Sequence, residues 1–265
     1  MYHLKDFYRN RVLVAAHRGN SRYYPENTMP AFESALTLDI DMIENDLHMT
    51  KDGQIIVMHD QKVDRTTDGT GDIRDMTLAE LKELDAGAWK GKEFEGTRVP
   101  TFVEFLELVK DRKELLFNIE LKDYPHQQGE RAYESCDRSL AMLEEYGIAE
   151  RCVINSWSGE LLEYIDRKYD HRYCLHGYFP ITLMGQRQTR DPYDYLYCIC
   201  LFDKEKGIAD KEYFDYVAQR GVEPWVFFSK EEEETYRLAV ERGAVLFTAN
   251  DPKRADEILK KLKVR

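Results

Sequence analysis

Residues 42–60 read MIENDLHMTKDGQIIVMHD, and this stretch decides the fold. Apolar and polar residues alternate over residues 42–47, and residues 54–58 form a second, mostly apolar run. Such runs are typical of β-strands, and Asp52-Gly53 between them is a hairpin turn signal. The stretch therefore predicts two antiparallel strands that together occupy one position in a larger sheet.

Short apolar runs lie on both sides of this hairpin, and amphipathic stretches separate most of them. Strands that alternate with helices predict parallel pairing, with helices covering the sheet. Counting the hairpin once gives eight strand positions, which predicts an α/β fold of the (β/α)8, or TIM-barrel, type. The predicted strands are residues 12–16, 42–47 with 54–58, 115–121, 152–155, 172–175, 195–201, 223–228 and 245–248. The predicted helices are residues 28–38, 129–146, 158–168, 210–219, 230–241 and 252–262.

The chain of 265 residues has the size of one barrel, so residues 1–265 are predicted to form a single domain. Residues 61–100 do not fit a strand followed by a helix, because they are rich in Gly, Thr and Asp. A short helix is predicted near residues 78–84. We interpret residues 61–100 as a small insertion after the second strand position, standing on the barrel.

The bulk composition excludes several classes of partner. A net charge of −12 argues against a nucleic-acid binder and against docking on anionic lipid. The five cysteines are odd in number and lack a Cys-x-x-Cys pair, which favours a reduced, structural state in a reducing compartment. No signal-peptide pattern and no bilayer-spanning apolar stretch is seen, so we expect a cytoplasmic protein without stable membrane insertion.

Ionisable residues gather at the downstream ends of the first predicted strands. In a barrel, these ends form the catalytic face. Four separate segments therefore deliver charged or titratable groups to one rim. These residues are His17, Arg18, Glu44, Asp46, His59, Glu120 and Lys122.

Three of these side chains predict a metal site. Residues two apart on a strand share a face, so Glu44 lies beside Asp46 and Glu120 beside Lys122. Three converging carboxylates repel one another, and a hard divalent cation, which prefers oxygen ligands, relieves that repulsion. Arg18, Lys122 and the metal would then form an anion site suited to a phosphodiester.

Two histidines are candidates for proton transfer. Hydrolysis of a phosphodiester needs a base for the nucleophile and an acid for the leaving alkoxide, and His titrates nearest neutral pH. His17 and His59 follow different strands, so they can flank a phosphate on opposite sides. Each has a purely structural alternative when taken alone. A third histidine, His48, lies near the Asp52-Gly53 turn, where the strand bends, and is left out of the predicted site.

Ordered short motifs resemble the signature of the glycerophosphodiester phosphodiesterase family. They cover nearly the whole chain and are most specific in residues 16–122. The motifs are Ala16-His17-Arg18-Gly19, Pro25-Glu26-Asn27-Thr28, Ile43-Glu44-Asn45-Asp46, Thr50-Lys51-Asp52-Gly53, His59-Asp60, Arg65-Thr66-Thr67, Gly69-Thr70-Gly71, Val99-Pro100-Thr101, Asn118-Ile119-Glu120-Leu121-Lys122 and Thr248-Ala249-Asn250-Asp251-Pro252.

The resemblance implies a (β/α)8 barrel with a small insertion after the second strand. It implies a small glycerophosphodiester substrate, Mg2+ or Ca2+ as the metal, and sn-glycerol 3-phosphate with an alcohol such as choline or ethanolamine as products. The implied roles are acid–base catalysis by His17 and His59, metal ligation by Glu44, Asp46 and Glu120, and phosphate binding by Arg18 and Lys122.

Some positions depart from the family pattern. Asp39 stands where the family usually has glycine, and Ser156-Trp157 stands where the family often has Ser-Phe. Trp225 begins a Trp-Val-Phe-Phe run in place of Trp-Thr-Val-Asn. The two tryptophans either wall the pocket for the alcohol or lie in the barrel core.

Two alternatives to glycerophosphodiester hydrolysis remain at this point. A phospholipase D of the sphingomyelinase D kind resembles the same barrel and histidine pair. Such enzymes are secreted and often contain disulfides, which the missing leader and scattered cysteines disfavour. A non-catalytic barrel that binds a phosphorylated ligand would have lost a catalytic residue, and none is missing.

Overall fold

A computed structural model describes residues 2–8, 10–201, 209–227 and 231–265. In these residues the strands are β1 (Leu13–His17), β2 (Met42–Met49), β3 (Ile55–Val57), β4 (Leu116–Leu121), β5 (Cys152–Asn155), β6 (Cys174–Phe179), β7 (Cys198–Leu201), β8 (Glu223–Phe227) and β9 (Leu246–Ala249). The helices are α1 (Met29–Ala35), α2 (Leu78–Glu83), α3 (Phe102–Val109), α4 (Pro125–Gln128), α5 (Glu130–Glu145), α6 (Gly159–Lys168), α7 (Lys211–Gln219), α8 (Glu233–Arg242) and α9 (Pro252–Lys261).

Eight of the strands close into a parallel barrel. The order runs from β1 through β9, β8, β7, β6, β5 and β4 to β2, and β2 pairs with β1 to close the ring. The short strand β3 stands outside the ring, because it pairs antiparallel with the end of β2, where Leu47 faces Val57. This arrangement confirms the predicted (β/α)8 barrel and the hairpin that shares one strand position.

Most predicted elements lie within a few residues of the observed ones. Helix α3 was not predicted, although its start carries a capping box in which Thr101 and Glu104 satisfy each other's backbone amides. Phe228 and Lys230, at the ends of a predicted strand and a predicted helix, lie outside the described residues.

The alternating faces of the strands build two apolar layers. Side chains on the outer face pack against the helices, while a smaller inner cluster fills the lower end of the barrel, away from the downstream strand ends. This inner cluster contains Leu4, Leu13, Ala15, Met42, Leu116, Val153, Cys174, Cys198, Trp225 and Leu246. The N-terminal residues therefore cover the bottom of the barrel and leave its top for polar groups.

Trp225 belongs to the inner cluster and does not reach the upper rim. Its side chain is fully buried, and its indole N–H donates to Oε2 of Glu223 at 3.1 Å. Of the two alternatives that the sequence left open for Trp225, pocket wall and barrel core, this position favours the barrel core. The indole faces the inside of the barrel low on β8, where the chain needs bulk to fill the core.

Residues 61–100 contain three short 3-10 turns (Val63–Arg65, Ile73–Asp75, Lys92–Phe94) in addition to α2. They enclose a small apolar cluster that includes Ile56 and Met58 of the hairpin. Lys90 bonds to the backbone carbonyl of Ser21 at 2.7 Å, which joins this segment to the loop after β1. The segment thus stands beside the upper rim of the barrel.

Two sequence features find local explanations. Asp39, the departure from glycine, forms ion pairs with Arg11 and Lys260. All five cysteines are buried and unpaired. Across the described ranges, no helix combines the length and apolar character that crossing a bilayer requires.

Candidate active site

Three carboxylates meet at the downstream ends of β2 and β4. Glu44 and Asp46 point into the barrel from β2, and Glu120 lies opposite Asp46 in the register of β4. One oxygen from each lies within 4.8 Å of the others, and all three side chains are buried. Burial, followed by the nearby charges of Asp46 and Glu120, raises the pKa of Glu44 well above its usual value.

Two cations face this cluster. Nζ of Lys122 is 2.8 Å from Oε1 of Glu120 and 3.5 Å from Oδ1 of Asp46. Nε of Arg18 is 3.3 Å from Oδ2 of Asp46, and the Arg18 backbone N–H donates to Glu44. Although burial opposes it, the charges of Lys122 and Arg18 hold the pKa of Asp46 well below its usual value. Two neighbouring carboxyl groups of the site, Glu44 and Asp46, therefore have pKa values shifted in opposite directions.

The carboxylate cluster has the donor set of a divalent cation site. Oε1 of Glu44 and Oδ1 of Asp46 are buried and accept no hydrogen bond from the described residues. With all three acids ionised, the cluster and the cations Arg18 and Lys122 sum to one negative charge. A divalent ion would change this sum to one positive charge, which matches the single negative charge of a phosphodiester.

The loop after β1 is shaped for this site. Arg18 and Asn27 both adopt left-handed backbone conformations, with φ of 56° each. Nδ2 of Asn27 donates to Oδ2 of Asp46 at 2.7 Å, so both strained residues touch the same carboxylate. Gly19 is required between them, because a Cβ there would lie 2.7 Å from the backbone of Ala31.

His17 ends β1 beside the carboxylates. Its Nδ1 lies 2.6 Å from Oδ1 of Asn250, and its Nε2 lies 3.9 Å from Oε2 of Glu44. Burial, and secondarily the charge of Arg18, lowers the pKa of His17 to about 3. Since an amide oxygen only accepts hydrogen bonds, Nδ1 carries the proton and Nε2 presents a lone pair to the site.

His59 follows the hairpin and has a carboxylate partner. Its Nδ1 lies 2.5 Å from Oδ1 of Asp60, and within the described part of the chain Nε2 makes no hydrogen bond. Arg65 bonds to both Asp60 and Glu26, and Glu26 also bonds to Arg18. Burial opposes this arrangement, but Arg65 and His59 lower the pKa of Asp60 below its usual value. A continuous chain of ion pairs thus connects the two sides of the site.

Aromatic rings flank the polar groups. The half-buried ring of Trp157 stacks on Tyr178 with 3.8 Å between centroids, and the Tyr178 hydroxyl donates to Oε2 of Glu120 at 3.2 Å. Phe227 lies 4.7 Å from the His17 ring. Trp157 therefore lies at the rim, in contrast to Trp225 in the core.

The structure brings together the seven ionisable residues singled out in the sequence, and adds residues that were quoted only as parts of motifs. These are Glu26, Asn27, Asp60, Arg65 and Asn250. Tyr178 carried no sequence signal, because a single tyrosine in an apolar run is ordinary strand sequence. Glu26, Asn27, Asp60 and Asn250 contact the predicted residues through their side chains, and Arg65 contacts Glu26 and Asp60. Spacing along one strand does not reveal such contacts.

Known proteins share the sequence pattern. The profile of the Glycerophosphoryl diester phosphodiesterase family matches residues 17–264. A glycerophosphodiester phosphodiesterase of Caldanaerobacter subterraneus subsp. tengcongensis is 43% identical over 162 residues, which are 61% of this chain and 64% of that protein. One of Bacillus subtilis is 41% identical over 164 residues, which are 58% of this chain and 55% of that protein. The matched part spans less than two thirds of each relative's length.

Solved structures share the fold. A phosphodiesterase of Oleispira antarctica, in complex with the product sn-glycerol-3-phosphate, has a TM-score of 0.80 at 22% identity and covers 94% of this chain and 97% of that one. The glycerophosphodiester phosphodiesterase of Thermotoga maritima has a TM-score of 0.71 at 22% identity and covers 95% and 100%. Because the family profile spans nearly the whole chain, this protein belongs to the glycerophosphoryl diester phosphodiesterase family.

Proposed function

We propose that this chain hydrolyses glycerophosphodiesters to sn-glycerol 3-phosphate and an alcohol, with Mg2+ or Ca2+ bound by Glu44, Asp46 and Glu120. The observation that carries the proposal is the cluster of three carboxylates and two cations between two histidines, which has a net charge of −1 when its acids are ionised. The relatives' names and the product in the Oleispira structure support the same reaction class.

Arg18 and Lys122 are proposed to hold the phosphate. Both are partly or fully withdrawn from water and are fixed by carboxylates, so they lose little freedom when an anion arrives. When bound, a divalent ion would supply further positive charge to the phosphoryl oxygens. Negative charge that develops on these oxygens is then met by groups already in position.

His17 is proposed to act as the base. Its Nδ1–H is committed to Asn250, and its lowered pKa keeps Nε2 unprotonated at neutral pH. Nε2 can therefore take a proton from the attacking hydroxyl, whether that hydroxyl belongs to water or to the glycerol moiety.

His59 is proposed to act as the acid. Asp60 accepts a hydrogen bond from Nδ1 and provides a counter-charge for a protonated ring. Nε2–H can then be given to the oxygen of the departing alcohol. The two histidines come from different strands, which is consistent with transfer on opposite sides of the phosphorus.

Trp157 is proposed to wall the alcohol pocket, because its half-buried ring stands at the rim next to Glu120's partner Tyr178. A flat aromatic face beside the leaving group suits a quaternary ammonium such as choline. We further propose that residues 1–265 form one domain and that residues 61–100 are an insertion in it. The apolar cluster within that segment supports this division.

The proposal is tested with metal-stripped protein and with glycerophosphocholine or glycerophosphoethanolamine as substrate. Glycerol 3-phosphate release is measured without metal, with Mg2+ and with Ca2+, beside a His17→Ala variant. We expect release that depends on metal and that is lost in the variant. Folded protein that releases nothing with either metal would refute the proposal, and sphingomyelin vesicles would then test the phospholipase D alternative.

A further inference from the structure

We infer that His48 and Asp123 are positioning residues for His59, because they fix the peptide that joins His59 to its partner Asp60. This inference rests on the proposed function, in which His59 transfers a proton. It assigns a role to the buried pair of His48 and Asp123, which the proposed chemistry does not otherwise use.

The contacts form a direct chain from β4 to the catalytic rim. Nδ1 of His48 lies 2.8 Å from Oδ1 of Asp123, and Nε2 of His48 lies 3.3 Å from the backbone carbonyl oxygen of His59. His48 and Asp123 are each only 2% exposed. The imidazole is therefore a rigid spacer between a buried carboxylate and the backbone of His59.

The carbonyl of His59 lies where the hairpin ladder ends. One residue earlier, the Met58 backbone N–H still donates to the carbonyl of Asp46 at 3.0 Å. Within the described residues, no backbone N–H donates to the His59 carbonyl oxygen. Nε2 of His48 lies at that position instead, and it donates there while Nδ1 donates to Asp123 when both ring nitrogens carry hydrogen. This carbonyl belongs to the peptide between His59 and Asp60, so its orientation sets the geometry of both partners.

Asp123 is itself held firmly. Its Oδ2 accepts hydrogen bonds from the Met49 backbone N–H at 2.8 Å and from the Ser135 hydroxyl at 2.6 Å. Its Oδ1 also accepts one from Gln128 at 2.7 Å. With the bond to His48, the carboxylate accepts four hydrogen bonds from strand β2 and helices α4 and α5. Because Asp123 is held in place by these bonds, it fixes the position of the His48 ring that bonds to it.

If His48 and Asp123 were purely structural, they would stabilise the hairpin, and their loss would lower activity whether or not His59 is present. A positioning pair acts through His59, so its effect must disappear when His59 is removed. The two roles can therefore be separated by a double-mutant cycle. His126, an exposed histidine three residues after Asp123, provides a matched control.

The experiment uses the full chain with saturating Mg2+ or Ca2+ and glycerophosphocholine. We expect His48→Leu to lower kcat by about 10- to 100-fold with little change in KM, and Asp123→Asn to act in the same direction. In a His59→Gln background, His48→Leu should cost no more than about 2-fold. His126→Leu should be neutral in both backgrounds. An unchanged kcat in His48→Leu, or an equal loss in both backgrounds, would overturn the inference.

A second readout does not depend on turnover. In 15N-histidine-labelled, metal-free protein, the imidazole shifts of His59 report how far Nδ1 carries the proton. We expect His48→Leu to reduce that tautomer of His59, while His126→Leu leaves it unchanged. If the wild-type chain hydrolyses no diester, the proposed function fails, and this readout alone decides the inference. Identical His59 shifts in His48→Leu and wild type would then overturn it.

Discussion

Nδ1 of His17 lies 2.6 Å from Oδ1 of Asn250, although 233 residues separate them in the chain. The contact joins the first barrel strand to the loop after the last one, across the seam where β1 meets β9. Asn250 is itself held by the Glu231 carboxylate, which accepts its backbone N–H at 2.6 Å. Closure of the barrel therefore determines the tautomer of the proposed base.

Replacing Asn250 by Asp should move the pH dependence of the reaction. A carboxylate at this distance favours the charged imidazole, so the pKa of His17 should rise from about 3 by roughly one to three units. Since the base must be unprotonated, the acidic limb of kcat/KM should move to higher pH. Asn250→Ala, which adds no charge, should lower kcat without this upward movement. An acidic limb at the same pH in Asn250→Asp and wild type would contradict the assignment of His17.

The two histidines should respond differently to the quality of the leaving group. Loss of the general acid slows the reaction most when the leaving group is an alkoxide, such as that of choline. It slows the reaction much less when the leaving group is p-nitrophenolate, which departs without a proton. His59→Gln should therefore lose about 10²- to 10⁴-fold in kcat with glycerophosphocholine and clearly less with the p-nitrophenyl diester of glycerol. His17→Gln should lose similar factors with both substrates. The reverse pattern would exchange the two roles.

The barrel was predictable from the sequence because the strands are short apolar runs and amphipathic, helix-like stretches separate most of these runs. The seven ionisable residues were predictable because strand ends and two-residue spacing fix where side chains point. Contacts such as His17 with Asn250, or His48 with Asp123, join distant segments through side chains. Local sequence patterns do not reveal such pairs. For the same reason, the sequence could not decide whether Trp225 lies in the pocket wall or in the barrel core.

The two tryptophans should separate function from stability. Trp157→Ala removes a half-buried ring at the rim, so it should change the ratio of kcat/KM for glycerophosphocholine to that for glycerophosphoethanolamine. Trp225→Ala leaves a cavity in the inner cluster and removes one of the hydrogen-bond donors to Glu223, so it should lower the free energy of unfolding by about 3–5 kcal/mol. Thermal melts and the two substrate assays check both variants. A selectivity change in the milder Trp225→Phe would contradict the placement of Trp225 in the core.

Metal-free protein should lose stability as the pH rises, and Glu44 should be a main cause. Burial, with Asp46 and Glu120 nearby, raises the folded-state pKa of Glu44 well above its usual 4.5, so the folded chain binds more protons than the unfolded chain above that pH. The contribution of Glu44 to the stability of the fold is fully present below pH 4.5 and is lost as the pH rises toward the folded-state pKa.

Glu44→Gln removes this pH dependence, so the metal-free variant should unfold at a higher urea concentration than metal-free wild type at pH 7. Adding Mg2+ or Ca2+ should reverse the order, because the wild type gains binding energy that the variant cannot. Equal urea midpoints with and without metal in the wild type would show that the carboxylates hold no ion.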